Sequence, residues 1–321
     1  MPETLADATR SAGPFPATEY VLGKSRGQRV PRADAESLVA GLADSDAAPG
    51  ALIGLGAEVT PGRVVYRAAP VHLRPDRDRL LLFAGDALSL SEAESTAICR
   101  DFNRTFLDDG LELGCRGGEW ILQADAAPGP DLPVLSAVAG RYLDTVIPDD
   151  AASRPWRRLL NEAQMFLFDH PVNRAREDRG EPAVNGLWFW SGGEALQGAV
   201  GSAVGRIIGD DPLAGAMART LGVSLIAPDQ ADPGAPHDTH QTVIVWTDAE
   251  RALLGGDVEA WLASLQRFEA TWAPWLRDLA TQTGGPVMLS TGSGRDFVLG
   301  PGARRRFWRR IHALSEWIER E

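Results

Sequence analysis

The stretch PWRRLLNEAQMFLFDHPVNRAREDRGEPAVNGLWFWSGG, Pro155 to Gly193, decides how the rest of the chain is read. Trp156, Leu159, Leu160, Ala163, Phe166 and Leu167 recur at the spacing of one helical face. Ser153 is placed to cap that helix and Pro155 suits its first turn. His170 precedes Pro171, which disfavours the α conformation and ends the helix there. A polar loop is expected next, carrying Asn173, Arg174, Arg176, Arg179 and Gly180. Val184 to Trp190 is then almost continuously apolar, the pattern of a strand covered on both faces, and Ser191-Gly192-Gly193 closes it.

Arginines grouped in one loop can clamp a phosphate or carboxylate through paired N–H donors. They can equally be solvated and paired with Glu177, Asp178 and Glu181. Asn185 lies inside the apolar strand, so its amide must find partners, either as a structural anchor or as a ligand contact. Trp188 and Trp190 are expected in the core.

With 321 residues the chain can bury one large core or two smaller ones. A net charge of −12 disfavours non-specific nucleic-acid binding, which needs a positive face. There is no apolar run of about eighteen residues and no signal-peptide pattern, so a soluble cytoplasmic protein is expected, with no membrane contact. Cys99 and Cys115 are too few for a disulfide framework and read as reduced thiols.

Three regions are expected. Residues 1–50 form an extension with short helices, loose over about the first 18 residues. Residues 51–150 form an α+β unit with strands at Arg63–Leu73, Arg79–Ala84 and Glu119–Ala124, and a helix opened by the capping box Ser91/Glu94. Residues 151–321 form an α/β core. It has a glycine-rich helix at Gly198–Gly209, strands at Val223–Ala227, Thr242–Trp246 and Val287–Leu289, and helices at Asp257–Thr281 and Ala303–Glu319. Strands alternating with helices predict a mostly parallel sheet with helices on both faces.

In such sheets ligands sit beyond the carboxyl ends of the strands. The loops there offer Asp229, His237, Asp238, His240 and Asp248 as weak metal-ligand candidates, and Ser191, Ser290 and Arg295 as anion contacts. STGSGR, Ser290–Arg295, also reads as an ordinary turn. The C-terminal segment packs five arginines into Arg304–Arg310 around Phe307 and Trp308. It is expected to be a terminal helix whose Phe307, Ile311, Leu314 and Ile318 pack inward, the other reading being a docking surface.

The pattern HPVN-x-x-R-x-x-x-G-x-x-x-VN-x-L-W-x-W-x-G-G, His170 to Gly193, resembles the matching segment of archaeal-type cofactor-independent phosphoglycerate mutases. More narrowly it resembles the bacterial RpfE-type regulatory proteins. The similarity extends to Gly54–Phe83, Leu88–Asn103, Gly198–Gly209 and Gly255–Glu269. It implies an alkaline-phosphatase-like α/β fold shortened at its N-terminus, with His170, Asn173, Arg176 and Asn185 as the surviving motif. Family members use two metals and a serine nucleophile, the cations lowering the serine's pKa and neutralising the phosphoryl charge. Here the opening Asp-Gly strand and its serine have no equivalent, and the Asp-Glu-Ala-Gly-His motif reads DAERA at Asp248–Ala252. The later Asp-His pair falls near STGSG and is gone. The resemblance therefore implies a catalytically silent relative with no cofactor, a regulatory or scaffolding role and a small phosphorylated ligand. The alternative is an enzyme on phosphate esters with a rebuilt metal site. Protein partners are left unspecified.

Overall fold

The computed structural model describes residues 2–31, 33–55, 59–77, 79–84, 88–196, 200–231, 241–282, 286–300 and 302–319. Its strands are β1 (Arg26–Arg29), β2 (Val64–Asp76), β3 (Arg79–Phe83), β4 (Leu111–Arg116), β5 (Glu119–Ala124), β6 (Gly186–Glu194), β7 (Val204–Ile208), β8 (Ser224–Ile226), β9 (Gln241–Ile244), β10 (Val287–Ser290) and β11 (Arg295–Leu299). The helices are α1 (Pro2–Ala12), α2 (Pro16–Lys24), α3 (Ala35–Ala40), α4 (Pro49–Leu55), α5 (Glu92–Phe106), α6 (Leu135–Val138), α7 (Arg154–Phe168), α8 (Pro171–Asp178), α9 (Pro212–Leu221), α10 (Asp248–Leu254), α11 (Val258–Gln282) and α12 (Leu314–Glu319).

The fold is mixed α/β, but the expectation of a mostly parallel sheet is corrected. Only the three-stranded sheet β8-β7-β9 is parallel. The largest sheet is antiparallel and joins β3-β2-β5-β4, with β6 also on β2. Residues Val64 to Ala68 of β2 pair with β5 on one edge and, apart from one bulge, with β6 on the other. The apolar strand β6 is buried on both faces as expected. It is covered through this sheet, which draws strands from both sides of the boundary expected at 150/151. A third, antiparallel sheet, β1-β11-β10, ties the N-terminal segment to the C-terminal one.

The face predicted for α7 packs as read. Trp156, Leu159, Leu160, Ala163 and Leu167 are buried against β6 and β2. The Trp156 ring meets Tyr66 edge-on at 5.1 Å and stacks on Phe189 at 5.8 Å, an arrangement that suits the ring quadrupoles. The cap is different: the Ser153 side chain makes no capping bond, and its backbone N–H donates to Asp150 Oδ1 at 2.8 Å. The glycine turn expected after Trp190 is instead strand, with the irregularity between Val65 and Arg67 facing it. Cys99 on α5 and Cys115 on β4 are free thiols hydrogen-bonded to each other.

Several expectations fail for local reasons. The segment expected to be a glycine-rich helix at Gly198–Gly209 contains β7, because Val204, Ile207 and Ile208 are β-branched and Asp211-Pro212 starts α9 just beyond. The first residues are not loose: α2 is held by Glu269, whose carboxylate accepts from the Ala17 and Thr18 N–H groups and the Thr18 hydroxyl at 2.7–2.9 Å. Ala303–Glu319 is not one helix. Only Leu314–Glu319 is α-helical; of the face expected inward, Phe307 and Ile311 are exposed and Leu314 is buried. No described helix is long and apolar enough to cross a membrane.

Gly192 is demanded by packing, since a Cβ there would land on the Tyr66 ring. That ring is fixed in turn by Trp156. Gly192→Ala should therefore destabilise by about 1–3 kcal/mol through overpacking, read as a lower urea midpoint. An unchanged midpoint would show that the bulge relaxes freely.

Candidate functional site

The residues of the 170–185 motif come together around backbone groups of α7, β2 and the chain before α5. Pro171 at the first helical position starts α8, so the expected polar loop is a helix. His170 caps it: its Nδ1 accepts from the Val172 N–H at 3.3 Å, which leaves the proton on Nε2, facing Asp101 at 3.4 Å. Burial pulls the His170 pKa below the usual value, against the opposing pull of Asp101.

Asn173, 3% exposed, donates to the carbonyls of Leu167 and Val184 at 2.7 Å each and accepts from the Val184 N–H at 2.8 Å. Asn185 imitates a strand residue, accepting from Leu73 N–H at 2.6 Å and donating to Leu73 O at 2.9 Å. It is the structural anchor of the two readings.

Arg176, 1% exposed, donates to Pro182 O at 2.8 Å, to Leu88 O, and to the Glu94 carboxylate at 3.4–3.5 Å. Burial alone would raise the Glu94 carboxyl. Bonds from Ser91, then Arg179 and Arg176, outweigh it and hold Glu94 below the usual range. Glu94 is also the N3 member of the α5 capping box, so Arg176 locks α8 to the start of α5. Ser191 is buried in the left-handed region at φ 52°, beside the bond from Gly192 N–H to Asp131 at 3.2 Å. Of the residues expected to clamp an anion, His170, Asn173, Arg176, Asn185 and Ser191, the amides of Asn173 and Asn185 and the Arg176 guanidinium are bonded to groups of the protein itself.

A different cluster lies where the parallel strands β7 and β9 end. Asp211 caps α9 by accepting from Leu213 N–H at 2.7 Å; its other oxygen accepts from the Thr247 hydroxyl and from Arg251 at 3.1 Å. Arg251 reaches on to Asp248 Oδ1 at 2.8 Å, and Arg267 holds Asp248 Oδ2 at 2.9 Å. Facing this group is Arg67 of β2, 5% exposed, bonded to Glu36 Oε1 at 2.9–3.0 Å and to Glu119. The Trp190 indole N–H donates to Glu36 Oε2 at 2.7 Å. Burial raises the Glu119 carboxyl although Arg67 opposes it. Burial, then Asp34, Glu36 and Asp211, push the Glu250 carboxyl up to about 7.

The cluster therefore contains a carboxyl that burial and neighbouring acids raise well above the usual carboxylate range, in the place where α/β sheets hold ligands. Glu36, Arg67, Glu119 and Glu250 were missed by the sequence reading. The available signal was Arg67 and Trp190, a charge and an indole within two strand patterns that turn out to be neighbours.

The remaining candidates are scattered. Ser290 donates to Asp296 at 2.6 Å across the β10–β11 hairpin, so STGSGR is a turn. Arg295, on β11, lines a separate cleft with Arg309, Arg310 and His312. Asp229 is exposed on a short 3-10 turn. His237, Asp238 and His240 lie outside the described residues. Among the described residues no group of three His, Cys, Asp or Glu side chains could hold a metal ion.

No family model matches the chain. A probable 2,3-bisphosphoglycerate-independent phosphoglycerate mutase from Geobacter sulfurreducens is 24% identical over 174 residues, covering 50% of this chain and 44% of that protein. Half of the chain is similar in sequence to a phosphoglycerate mutase. It spans less than half the length of that relative. Two solved structures are similar over 94% of the chain. They are the cofactor-independent phosphoglycerate mutase from Thermoplasma acidophilum (15% identity, 86% of that chain, TM-score 0.37) and the PH0037 protein from Pyrococcus horikoshii (13%, 84%, 0.46).

Arg176→Ala takes the donor from the Leu88 and Pro182 carbonyls and one of two guanidiniums from Glu94, so a loss of about 3–5 kcal/mol is expected by urea unfolding. Arg176→Lys should not restore it, because an ammonium cannot span three acceptors as the planar fork does. Wild-type-like stability of either variant would refute the structural role.

Glu250 gives a pH test. Its folded pKa is raised, so the stability it contributes is present below its unfolded value and is lost as pH rises through about 7. Melting temperature should fall between pH 5 and 8, and Glu250→Gln should flatten that fall. Parallel curves for the two proteins would contradict the placement.

Proposed function

We propose that this chain is a phosphoglycerate-mutase-like protein that does not run a two-cation phosphotransfer and acts instead as a regulatory or scaffolding protein of the RpfE type, with a small anion as its ligand. The observation that carries this reading is Asp248, the one aspartate retained from the family's metal motif. Each of its oxygens accepts from a guanidinium, Arg251 at 2.8 Å and Arg267 at 2.9 Å. Arg251 extends the same fork to Asp211 at 3.1 Å. A permanent cation thus bridges the two aspartates that follow β7 and β9, and the local charge a divalent ion would neutralise is already neutralised. The described donors do not fit a dinuclear centre.

The competing reading is an active mutase or phosphate-ester hydrolase with a site rebuilt from Asp229, His237, Asp238, His240 and Asp248. It requires Asp248 to leave both arginines. Metal content of the purified protein, measured beside mutase and general phosphatase assays, separates the two. We expect manganese and zinc well below one per chain and no turnover above the blank. Asp248→Ala should lower stability, because it removes the carboxylate that Arg251 and Arg267 share. Stoichiometric manganese or zinc together with turnover that disappears in Asp248→Ala would establish the enzyme instead.

A further inference from the structure

A second cationic site lies away from the strand ends. The C-terminal segment, expected to be helical, passes α2 and β1 as a 3-10 turn and irregular chain and is fixed there. The Lys24 ammonium donates to the carbonyls of Arg306 and Arg309 at 2.9 and 2.7 Å, Arg306 donates back to Lys24 O at 2.7 Å, and Arg309 donates to Ser25 O. Between this segment and β11 is a cleft of about 300 Å³, at the small end of the range for ligand sites.

Arg295, Arg309, Arg310 and His312 line the cleft, and among the described residues no Asp or Glu does. His312 Nδ1 meets the Glu316 carboxylate at 2.9 Å. Among the described residues the guanidiniums of Arg295 and Arg310 have neither a hydrogen bond nor an ion pair, and the Arg295 stem is laid over Gly27. This concentration of positive charge occurs in a chain whose net charge is −12, with 44 acidic residues available elsewhere to neutralise it. Guanidiniums brought together without a counter-charge repel, and walls of protein around them strengthen their field toward an incoming anion. The apolar part of the lining is aromatic: Phe297, 3% exposed, meets Trp317 edge-on at 5.5 Å.

We infer that this cleft binds a small organic anion, a phosphate or carboxylate carried on a compact apolar body. Its charged group lies on Arg295 and Arg310 and its body against Phe297 and Trp317. The inference locates the anion of the function proposed above and rests on the small-ligand part of that reading only; the question of catalysis is decided by other measurements. The three arginines of the 170–185 motif, Arg174, Arg176 and Arg179, are by contrast each paired with a carboxylate of the protein.

The test is calorimetric titration of the full chain with phenyl phosphate, benzoate and inorganic phosphate, alongside melting curves. Bound ligand should raise the melting temperature by mass action. Phenyl phosphate or benzoate should bind more tightly than inorganic phosphate, and the order of those two identifies which anionic group is preferred. Arg310→Gln, at an exposed position, and Arg295→Gln should each weaken binding at least tenfold. Arg174→Gln, the same charge change on the surface of α8, should leave it unaltered. Circular dichroism confirms that each variant is folded, and Arg310→Gln alone suffices if Arg295→Gln is not. Absence of heat and of any melting shift at millimolar probe would overturn the inference. So would binding that survives in Arg310→Gln, or inorganic phosphate binding as tightly as the aryl compounds.

Discussion

The pairing of β6 with β2 is the constraint from which the rest of this structure follows. Thirteen residues of β2 serve three partners: β5 and β6 along its first part, β3 along its second. Because β6 is inserted there, its buried side chains Trp188 and Phe189 complete the core that α7 covers. The same pairing sets Trp190 next to Arg67, with the guanidinium 5.5 Å from the indole ring, and both meet Glu36. Losing that register would scatter the core and the charge cluster together, since a slip by one residue turns every side chain to the opposite face.

Buried polar groups do most of the specifying around this strand pair. Asn173, Asn185 and Arg176 all terminate on backbone groups that secondary structure leaves unpaired: the last carbonyls of α7, the strand edge at Leu73, the chain at Leu88 and Pro182. A side chain that satisfies an orphan carbonyl in the interior is costly to remove, which gives a motif dense in Asn and Arg a structural role. Arg251 plays a comparable part between Asp211 and Asp248, where it supplies fixed positive charge at the ends of the parallel strands. The two cationic regions differ in this respect. Around Arg176 and Arg251 the acceptors belong to the protein, whereas Arg295 and Arg310 face a cleft.

The elements that were legible are those whose pattern is local and long. The α7 and α11 helices carry apolar faces at helical spacing, and α5 carries its own start signal in Ser91 and Glu94. The break at His170 follows from Pro171, yet the same proline that ends one helix begins the next, and the sequence reading stopped at the first half of that statement. β7 was hidden because its segment, GAVGSAVGRIIG, is rich in glycine and alanine as well as β-branched residues, leaving period and propensity in disagreement. The exposed Phe307 and Trp308 show the converse: an apolar pattern read as an inward face carries no information about whether a partner surface exists.

From its residues alone the chain declares an α/β composition, a central helix followed by a doubly buried strand, and a motif similar to phosphoglycerate mutases. Those features depend on contacts within a few turns or on the identity of consecutive residues. Which strands neighbour one another, and therefore that Arg67, Glu119, Asp211 and Glu250 share one cluster while Arg176 is sealed away, was settled only by the tertiary structure. The reason is physical: a charged side chain's role is set by the acceptors that surround it, and here those acceptors lie tens to hundreds of positions away along the chain.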